Sequence, residues 1–423
     1  MELKPGYKQT EVGVIPEDWE VDAIGDAFDI SGGFSASRDQ LSSSGHCYLH
    51  YGDIHRANKS FIDVRFQYLD IPKLNIPLNQ VSPKSLLKDG DVVFVDASED
   101  DEGTSKHLVV VNAEEITFIS GLHTIVAKSK APSYDNVYKR YCFQTQDLKR
   151  QFYFYAVGTK VSGISKTNIK KVFIPRPPLP EQTVIAAALS DVDALIQSLD
   201  KLIAKKRDLK QAAMQQLLTG QTRLPGFSGE WELKKLGEIA QLKNGYAFKS
   251  STYTILGQFK VITIANVQDG YMNNIECNKI AELPHDIQPH QILRRGDILI
   301  SMTGNVGRVC RVTDDDCLLN QRVGKLESFG ADDEFFFLLL NQRIFIVAMS
   351  GKAQGGAQGN IGVSDITEFQ FFVPSSNEEQ TAIATILSDM DAEITALEAR
   401  RDKTRLLKQG MMQELLTGKT RLI

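Results

Sequence analysis

The residue patterns best suited to chemistry in this sequence are two glycine-rich segments. Residues 303–308 read Thr-Gly-Asn-Val-Gly-Arg, and residues 354–360 read Gln-Gly-Gly-Ala-Gln-Gly-Asn. Successive backbone N–H groups in such segments can cradle a phosphate, but glycines in loops more often serve only to form turns. Neither segment has the spacing of a GxxxxGK(S/T) or GxGxxG nucleotide-binding motif. Anion binding and ordinary turns therefore both remain open for these segments.

The usual catalytic and metal-binding patterns are missing from the sequence. The acidic runs at 99–102 and 314–316 are typical of solvated turns, and the seven histidines form neither HExxH nor HxH. There is no GxSxG nucleophile motif, no NPPF or DPPY tetrapeptide of an adenine methylase and no PD…ExK nuclease cluster. We therefore predict a binding protein, with no catalytic residue and no metal site of its own, rather than an enzyme.

Composition narrows the class of protein further. The 423 residues carry a net charge of −5, which does not decide about nucleic-acid binding because binding depends on the local face. Basic residues cluster locally at 166–171, 205–207, 294–295 and 400–405. No run of 18 apolar residues occurs, residues 1–20 contain no apolar signal segment, and the five cysteines have no CxxC spacing. We expect a cytoplasmic protein with free thiols.

An internal repeat indicates the elements that must position any binding residues. The segment 181–224 recurs at 379–422, 198 positions later, with 26 of 44 residues identical. Apolar residues recur at steps of three and four in both copies, which predicts one long amphipathic helix in each. The positions predicted to form a coiled-coil seam are Ile185, Leu189, Val192, Ile196, Leu199, Ile203 and Leu217 in the first copy and Ile383, Leu387, Met390, Ile394, Leu397, Met411 and Leu415 in the second.

A helix with such an apolar stripe needs a partner to cover it. The two copies in this chain are the simplest pair, and we predict that they form an antiparallel intramolecular coiled coil. A coiled coil between two chains remains the alternative. The seam is weaker in the second copy, where Arg400 and Arg401 stand at positions that are apolar in the first. This asymmetry leaves room for a further helix from another protein.

The segment before each helix contains many short apolar runs between Gly, Asn and Asp turns, which predicts an α/β (α+β) domain on a mixed or mostly antiparallel sheet. Trp19-Glu20 matches Trp231-Glu232, and Gly33-Phe34 matches Gly245-Tyr246, but the sequences between such anchors diverge. We predict one fold specialised for two ligands, in a circular, pseudo-twofold order. The predicted divisions are a lead-in segment (1–19), a first domain (20–178), a first helix (179–219), a linker (220–231), a second domain (232–376), a second helix (377–418) and a tail (419–423).

Together these features resemble the specificity subunit of type I restriction–modification enzymes. The resemblance covers the whole chain and rests on the order GVIPEDWEV, a globular domain, IPRPPLPEQTVIAAALSDVDALI…LLTG, a second domain and EEQTAIATILSDMDAEI…LLTG. YLHYGDIH (48–55) and GDILISMTGNVG (296–307) also look like pieces of that family's target-recognition domains. The second helix departs from the pattern, because VPSSNEEQ stands where the family commonly has a Pro-Pro-Leu-like lead-in.

The resemblance implies two target-recognition domains, each reading one half of a bipartite, asymmetric site in double-stranded DNA, with the helix pair setting the spacer. It also implies two methylation subunits, which bind S-adenosylmethionine and flip an adenine out of the duplex, and motor–endonuclease restriction subunits, which use ATP and Mg. The chain itself is then expected to hold no cofactor. A structural adaptor that does not bind DNA, in which the coiled coil joins two binding modules, remains the alternative.

Side chains near the domain loops are the candidates for DNA contact. Arg and Lys suit phosphates and guanine, whereas Asn and Gln suit adenine. The predicted DNA-binding residues are Arg38, Arg56, Ser105, Lys106, Lys160 and Lys166 in the first domain and Tyr246, Lys249, Asn305, Arg308, Gln354, Gln358 and Asn360 in the second.

Overall fold

The computed structural model describes residues 5–98, 102–158, 162–353 and 359–422. The protein divides into two compact units, Met1–Asp200 with Arg400–Ile423 (unit 1) and Lys201–Ala399 (unit 2). Both boundaries fall inside the long helices, so each helix contributes one part to each unit. Each unit has apolar cores formed by its own residues.

Unit 1 is built on short strands and short helices. Its strands are β1 (Tyr7–Thr10), β2 (Gly13–Pro16), β3 (Glu20–Ala23), β4 (Phe28–Gly32), β5 (Leu41–Ser42), β6 (His46–Leu49), β7 (Phe61–Asp63), β8 (Lys73–Leu74), β9 (Val92–Val95), β10 (Ala97–Ser98), β11 (His107–Val111), β12 (Phe118–Ser120), β13 (Thr124–Ser129), β14 (Ser162–Gly163) and β15 (Phe173–Arg176). Its helices are α1 (Ile24–Ala27), α2 (Tyr51–Arg56), α3 (Lys139–Cys142), α4 (Gln146–Tyr155), α5 (Lys166–Ile169) and the first part of α6 (Leu179–Leu217).

Two sheets form the body of unit 1, with strand orders β4-β13-β9-β11-β7 and β12-β6-β8-β5. Most neighbouring strands are antiparallel, but β11 pairs with β7 and β12 pairs with β6 in parallel. All four side chains of β9 are buried, which is the pattern of a strand covered on both faces of its sheet. The mixed sheets confirm the predicted α/β character.

Unit 2 contains the remaining elements. Its strands are β16 (Trp231–Lys235), β17 (Ala240–Asn244), β18 (Phe259–Ile262), β19 (Asn278–Ile280), β20 (Ile292–Leu293), β21 (Ile298–Ser301), β22 (Val309–Arg311), β23 (Cys317–Leu319), β24 (Val323–Ser328) and β25 (Gln370–Pro374). Its helices are α7 (Leu236–Ile239), α8 (Asp333–Leu340), α9 (Arg343–Lys352), α10 (Val363–Thr367) and the first part of α11 (Asn377–Leu415).

The sheets of unit 2 repeat the core of those in unit 1. The order β17-β24-β21-β22 corresponds to β4-β13-β9-β11, and β19-β18-β23 corresponds to β8-β6-β12. The orientations also agree, because β18 pairs with β23 in parallel, as β6 does with β12. The sheets differ at their edges, where β5 and β7 occur in unit 1 and β20 in unit 2. The two units therefore share a frame and differ in what is attached to it.

The matched glycines mark a point of close approach in this frame. A Cβ atom added to Gly33 would lie 1.9 Å from the carbonyl oxygen of Gly121, and one added to Gly245 would lie 2.1 Å from that of Asn320. Both carbonyls belong to the turn that joins the two sheets, β12 to β13 in unit 1 and β23 to β24 in unit 2. A side chain at either glycine would collide with that turn, which explains why the two residues match when their surroundings do not.

The long helices contact each other within each unit. In unit 1, Lys408 Nζ lies 2.7 Å from Asp193 Oδ1, and Arg405 Nη2 lies 3.2 Å from Asp200 Oδ2. In unit 2, Lys210 Nζ lies 2.5 Å from Asp391 Oδ1, and Lys206 and Arg207 pair with Glu393 and Glu398. As the residue number falls in one helix it rises in the other, so the contacting parts are antiparallel in each unit. Several of the basic residues at 205–207 and 400–405, namely Lys206, Arg207 and Arg405, therefore form ion pairs between the two helices.

The predicted seam positions lie towards the helix partner and the adjoining domain. None of the fourteen is classed as exposed. Ile185 and Leu189 share a core with Leu415 in unit 1, and Ile383 and Leu387 share a core with Leu217 in unit 2. At the weaker part of the seam, Arg401 extends to Asp200, with 3.5 Å between Nη1 and Oδ1.

A buried Trp–Glu–Arg cluster, which we call the clamp, occurs once in each unit. In unit 2, Arg223 bonds the Glu379 carboxylate through Nε and Nη2 at 2.6 and 2.7 Å, and Trp231 Nε1 lies 3.4 Å from the same carboxylate. In unit 1, Arg421 and Trp19 bond Glu181 in the same way. Each arginine lies at the end of one repeat copy, and each glutamate begins the other.

Among the described residues, no single helix has the length and apolar character needed to cross a membrane. One bent pair, α8 with α9, meets the length and composition criteria only when its two helices are taken together, with a bend of 52° between them.

Candidate nucleic-acid interface

The loops that carry most of the candidate residues lie at one end of the strands in the β4-β13-β9-β11-β7 sheet of unit 1 and in the β17-β24-β21-β22 sheet of unit 2. In unit 2, the last residue of β17, Asn244, pairs with Gly324, and the last residue of β21, Ser301, pairs with Val323, the first residue of β24. Because neighbouring strands are antiparallel, the segments after β17 and β21 and the turn before β24 meet at one edge. We call this the loop edge of unit 2. The loop edge of unit 1 is formed in the same way, by the segments after β4 and β9 and the turn before β13.

The loop edge of unit 2 joins the two glycine-rich segments found in the sequence. Thr303 and Asn360 form an isolated β-bridge, and the Thr303 hydroxyl donates to Asn360 Oδ1 at 3.0 Å. Gly304 N–H donates to the carbonyl of Gly359 at 2.9 Å. These backbone groups are used to hold the segments together, so in this part of the structure the glycines act as turn and bridge residues.

Two shallow clefts flank this bridge. One has a volume of about 510 Å³ and is lined by Asn305, Arg308 and Ser350, among others. The other has a volume of about 600 Å³, and its polar lining consists of Asn244, Thr303, Gln321, Arg322 and Asn360. The structure thus brings the predicted residues Asn305, Arg308 and Asn360 together at one edge.

Two of the candidate residues of unit 2 form hydrogen bonds or ion pairs with other residues of the unit. Arg308 Nη1 donates to Gln268 Oε1 at 2.6 Å, and its Nε lies 3.8 Å from Asp269 Oδ1. The Tyr246 hydroxyl donates to Asp286 Oδ1 at 2.8 Å, and this hydrogen bond raises the pKa of Tyr246. Lys249 is exposed.

In unit 1 the candidates fall into two groups. The first lies near the loop edge, where Arg38 Nη2 is 3.3 Å from Asp53 Oδ1 and His123 Nδ1 is 3.2 Å from Asp96 Oδ1. Lys166 belongs here, because its Nζ lies 2.3 Å from where a Cβ of Gly32 would stand. Arg56 is exposed at the end of α2.

The second group lies in a cleft of about 720 Å³ in unit 1, lined by the segments before β7 and β11 and by α6 and α11. Its basic lining residues are Lys59, Lys106, Lys149, Arg405 and Lys408. The predicted residue Lys106 donates from Nζ to the His55 carbonyl at 2.9 Å. Ser105 is buried, with 6% of its surface exposed, so it presents little surface to a ligand.

The predicted residues Lys160, Gln354 and Gln358 lie outside the described residues.

Sequence reasoning did not find His123, Gln321 or Arg322 at the loop edges, nor Lys59 and Lys149 in the cleft. No motif marks these five residues. The one available signal was the match of Gly33 with Gly245, since each glycine packs against the turn that carries His123 or Arg322.

Among the described residues, no group of three or more His, Cys, Asp or Glu side chains is placed to hold a metal ion. Beside the carboxylates of Asp53, Asp96 and Asp269, the loop edges carry guanidinium, ammonium, amide and hydroxyl groups. These are the side chains that bond to phosphates and base edges.

Comparison with known proteins agrees with the family resemblance seen in the sequence. Residues 16–205 and 228–406 match the family model described as the type I restriction modification DNA specificity domain. The MjaVIII type I restriction enzyme specificity subunit of Methanocaldococcus jannaschii is 29% identical over 303 residues, covering 67% of this chain and 70% of that protein.

Two solved structures are similar in fold. The S subunit of a type I restriction–modification system from M. genitalium superimposes with a TM-score of 0.54 at 16% identity, covering 98% of both chains. A chain from a study of complex assembly and conformational transition of the type I R-M system superimposes with a TM-score of 0.60 at 16% identity, covering 96% of this chain and 99% of that one.

Proposed function

We propose that this chain, which belongs to the type I restriction–modification DNA specificity family, reads a bipartite, asymmetric DNA site as the non-catalytic specificity subunit of its complex. Each unit reads one half of the site through its loop edge. The observation that carries this proposal is that the two units share the order of their central strands but present different side chains at equivalent loop edges. Two independent half-sites require this combination, because a common frame fixes the docking geometry while the loops determine which bases are read.

The helices α6 and α11 act in this proposal as one antiparallel coiled coil that sets the distance between the half-sites. Each helix has 39 residues, which corresponds to about 58 Å at 1.5 Å per residue. The antiparallel ion pairs found in each unit and the buried seam residues support this arrangement. The clamps support a circular order, because an arginine shortly after each helix bonds a glutamate near the start of the other helix.

The chemistry then lies with the partners. Two methylation subunits with S-adenosylmethionine modify an adenine in each half-site, and restriction subunits with ATP and Mg act on unmodified DNA. The chain is their scaffold and holds no cofactor itself. Its place is in the cytoplasm, where the DNA is.

Deletion of this gene tests the proposal. Mapping of methylated adenines by long-read sequencing is expected to lose one bipartite motif, and the restored gene is expected to return it. The complex with the methylation subunits is also expected to bind duplex DNA with an affinity that falls steeply with salt. An unchanged methylation map together with no duplex affinity would contradict DNA reading and favour the adaptor.

The spacer length offers a second test. Insertion of four residues in the middle of both α6 and α11 adds about 6 Å, and base pairs are stacked about 3.4 Å apart. We expect the unread spacer of the methylated motif to lengthen by about one to two base pairs. A four-residue insertion after Gly226, in an exposed turn outside the helices, is the control and should leave the spacer unchanged. An unchanged spacer in the helix variant would rule out the spacing role.

A further inference from the structure

We propose that the turn between β23 and β24 is the base-reading element of unit 2, with Arg322 bonding the guanine of a G·C pair and Gln321 and Asn360 bonding neighbouring base edges. This inference rests on the proposed function and adds to it the residues and the base class. None of these assignments follows from a sequence motif, and Gln321 and Arg322 were not among the predicted residues.

The turn is held firmly by its backbone. Gln321 N–H donates to the Tyr246 carbonyl at 2.9 Å, and the Arg322 carbonyl accepts from Met302 N–H at 3.0 Å. Arg322 N–H also lies 3.3 Å from Asn320 Oδ1. The turn is thereby tied to both neighbouring segments of the loop edge, while the side chains of Gln321 and Arg322 are exposed. A fixed backbone that presents free side chains is what base readout requires.

The charge around Arg322 also favours this role. None of the residues that line its cleft is acidic, and Arg322 forms no ion pair within the part of the chain that the structure describes. Arg308, at the same loop edge, differs, because its Nε lies 3.8 Å from Asp269 Oδ1. Among the described residues no carboxylate therefore competes with a ligand for the guanidinium of Arg322.

The side-chain chemistry of the cleft matches base edges. The planar guanidinium can donate two parallel hydrogen bonds to O6 and N7 of guanine, and the amides of Gln and Asn can pair with N6 and N7 of adenine. Asn360 is already oriented, because its Oδ1 accepts from the Thr303 hydroxyl, and its NH₂ group donates to none of the residues that the structure describes. At the equivalent turn, unit 1 carries His123 in contact with Asp96, so the two turns present different donors.

Methylation mapping with variants of the full chain, in its complex with the methylation subunits, tests the inference. Arg322→Ala is expected to relax the motif at one G·C pair of one half-site by about tenfold or more, while the other half-site stays unchanged. Arg322→Lys keeps the charge but loses the two-pronged geometry, so it is expected to relax the same position. Gln321→Ala is expected to relax a neighbouring position of that half-site.

Arg294→Ala is the matched control. Arg294 is also exposed and forms no ion pair within the described residues, but it precedes β21 and so lies at the opposite end of the sheet from Arg322. This variant should leave the motif unchanged. A lower level of methylation on an unchanged motif in both Arg322 variants would show a phosphate contact and overturn the inference.

The remaining outcomes are also decisive. If Arg322→Ala abolishes methylation altogether, the motif written by Arg322→Lys decides whether a base position is relaxed. Failure of the proposed function itself is distinguishable, because the unmutated chain would then write no motif.

Discussion

Replacement of Glu379 by alanine is expected to lower the free energy of unfolding of unit 2 by about 2–3 kcal/mol, because it removes the buried carboxylate that bonds the partly buried Arg223 and the buried Trp231. The Glu379 side chain is 2% exposed and accepts two hydrogen bonds from Arg223. Without it, the Arg223 guanidinium and the Trp231 Nε1–H both lose their carboxylate partner. Hydrogen–deuterium exchange, followed separately in peptides of each unit, measures the effect and should show it in unit 2.

Two control variants make this prediction specific. Glu378→Ala removes the neighbouring carboxylate, which is exposed and bonds only Ser376 among the described residues, and it should change stability by no more than about 0.5 kcal/mol. Glu181→Ala removes the equivalent carboxylate in unit 1, where Arg421 keeps its bonds to Asp18 at 3.0 and 2.8 Å. We expect a smaller loss there. Equal losses in Glu378→Ala and Glu379→Ala would contradict the role of the clamp.

The clamp also shows what a sequence repeat can and cannot reveal. Both glutamates and both arginines are visible in the repeat, but their pairing is not. Arg223 bonds Glu379 across 156 positions rather than Glu181 at the start of its own helix. That choice depends on the antiparallel contact of the helices, which the periodicity of either helix leaves open.

The long helices themselves follow closely from their sequence pattern. The predicted ranges 179–219 and 377–418 compare with the observed Leu179–Leu217 and Asn377–Leu415. Gly220 and Gly418 have φ angles of 69° and 68°, as expected of glycines that follow a helix end. The small differences lie at the C-terminal ends, where the last turn is not α-helical.

The candidate site was harder to predict from the sequence than the helices, because it depends on strand register. Residues of the turn before β24 reach the loop edge only because β24 pairs with both β17 and β21. Ser105 shows the opposite effect: it lies in a polar segment with the composition of a loop, but it stands two residues before the buried strand β11 and is itself buried. Local composition therefore identified loops and basic residues, whereas tertiary pairing decided which of them share a surface.

Unit 1 is expected to lose about 3 kcal/mol of stability between pH 7 and pH 4 through one histidine. His107 is buried between the rings of Phe94 and Phe143, at centroid distances of 5.6 and 5.3 Å. This burial disfavours the charged imidazolium and lowers the pKa of His107 from 6.5 to about 4. Between these two values the unfolded chain binds a proton that the folded chain does not, so the free energy of unfolding falls as the pH falls.

The frame shared by the two units supplies the control for this prediction. His107 pairs with Phe94 as Val309 pairs with Ile300 in unit 2, so His107→Val copies the residue of the equivalent position. Trp19 and Trp231 are the two tryptophans of the chain, and in a Trp231→Phe background the fluorescence of Trp19 reports the urea unfolding of unit 1. Carboxylates that titrate in the same range affect both proteins alike, so the difference between their stability curves isolates the histidine. We expect this difference to change by about 3 kcal/mol between pH 7 and pH 4, whereas parallel curves would show that His107 accepts a proton in the folded state.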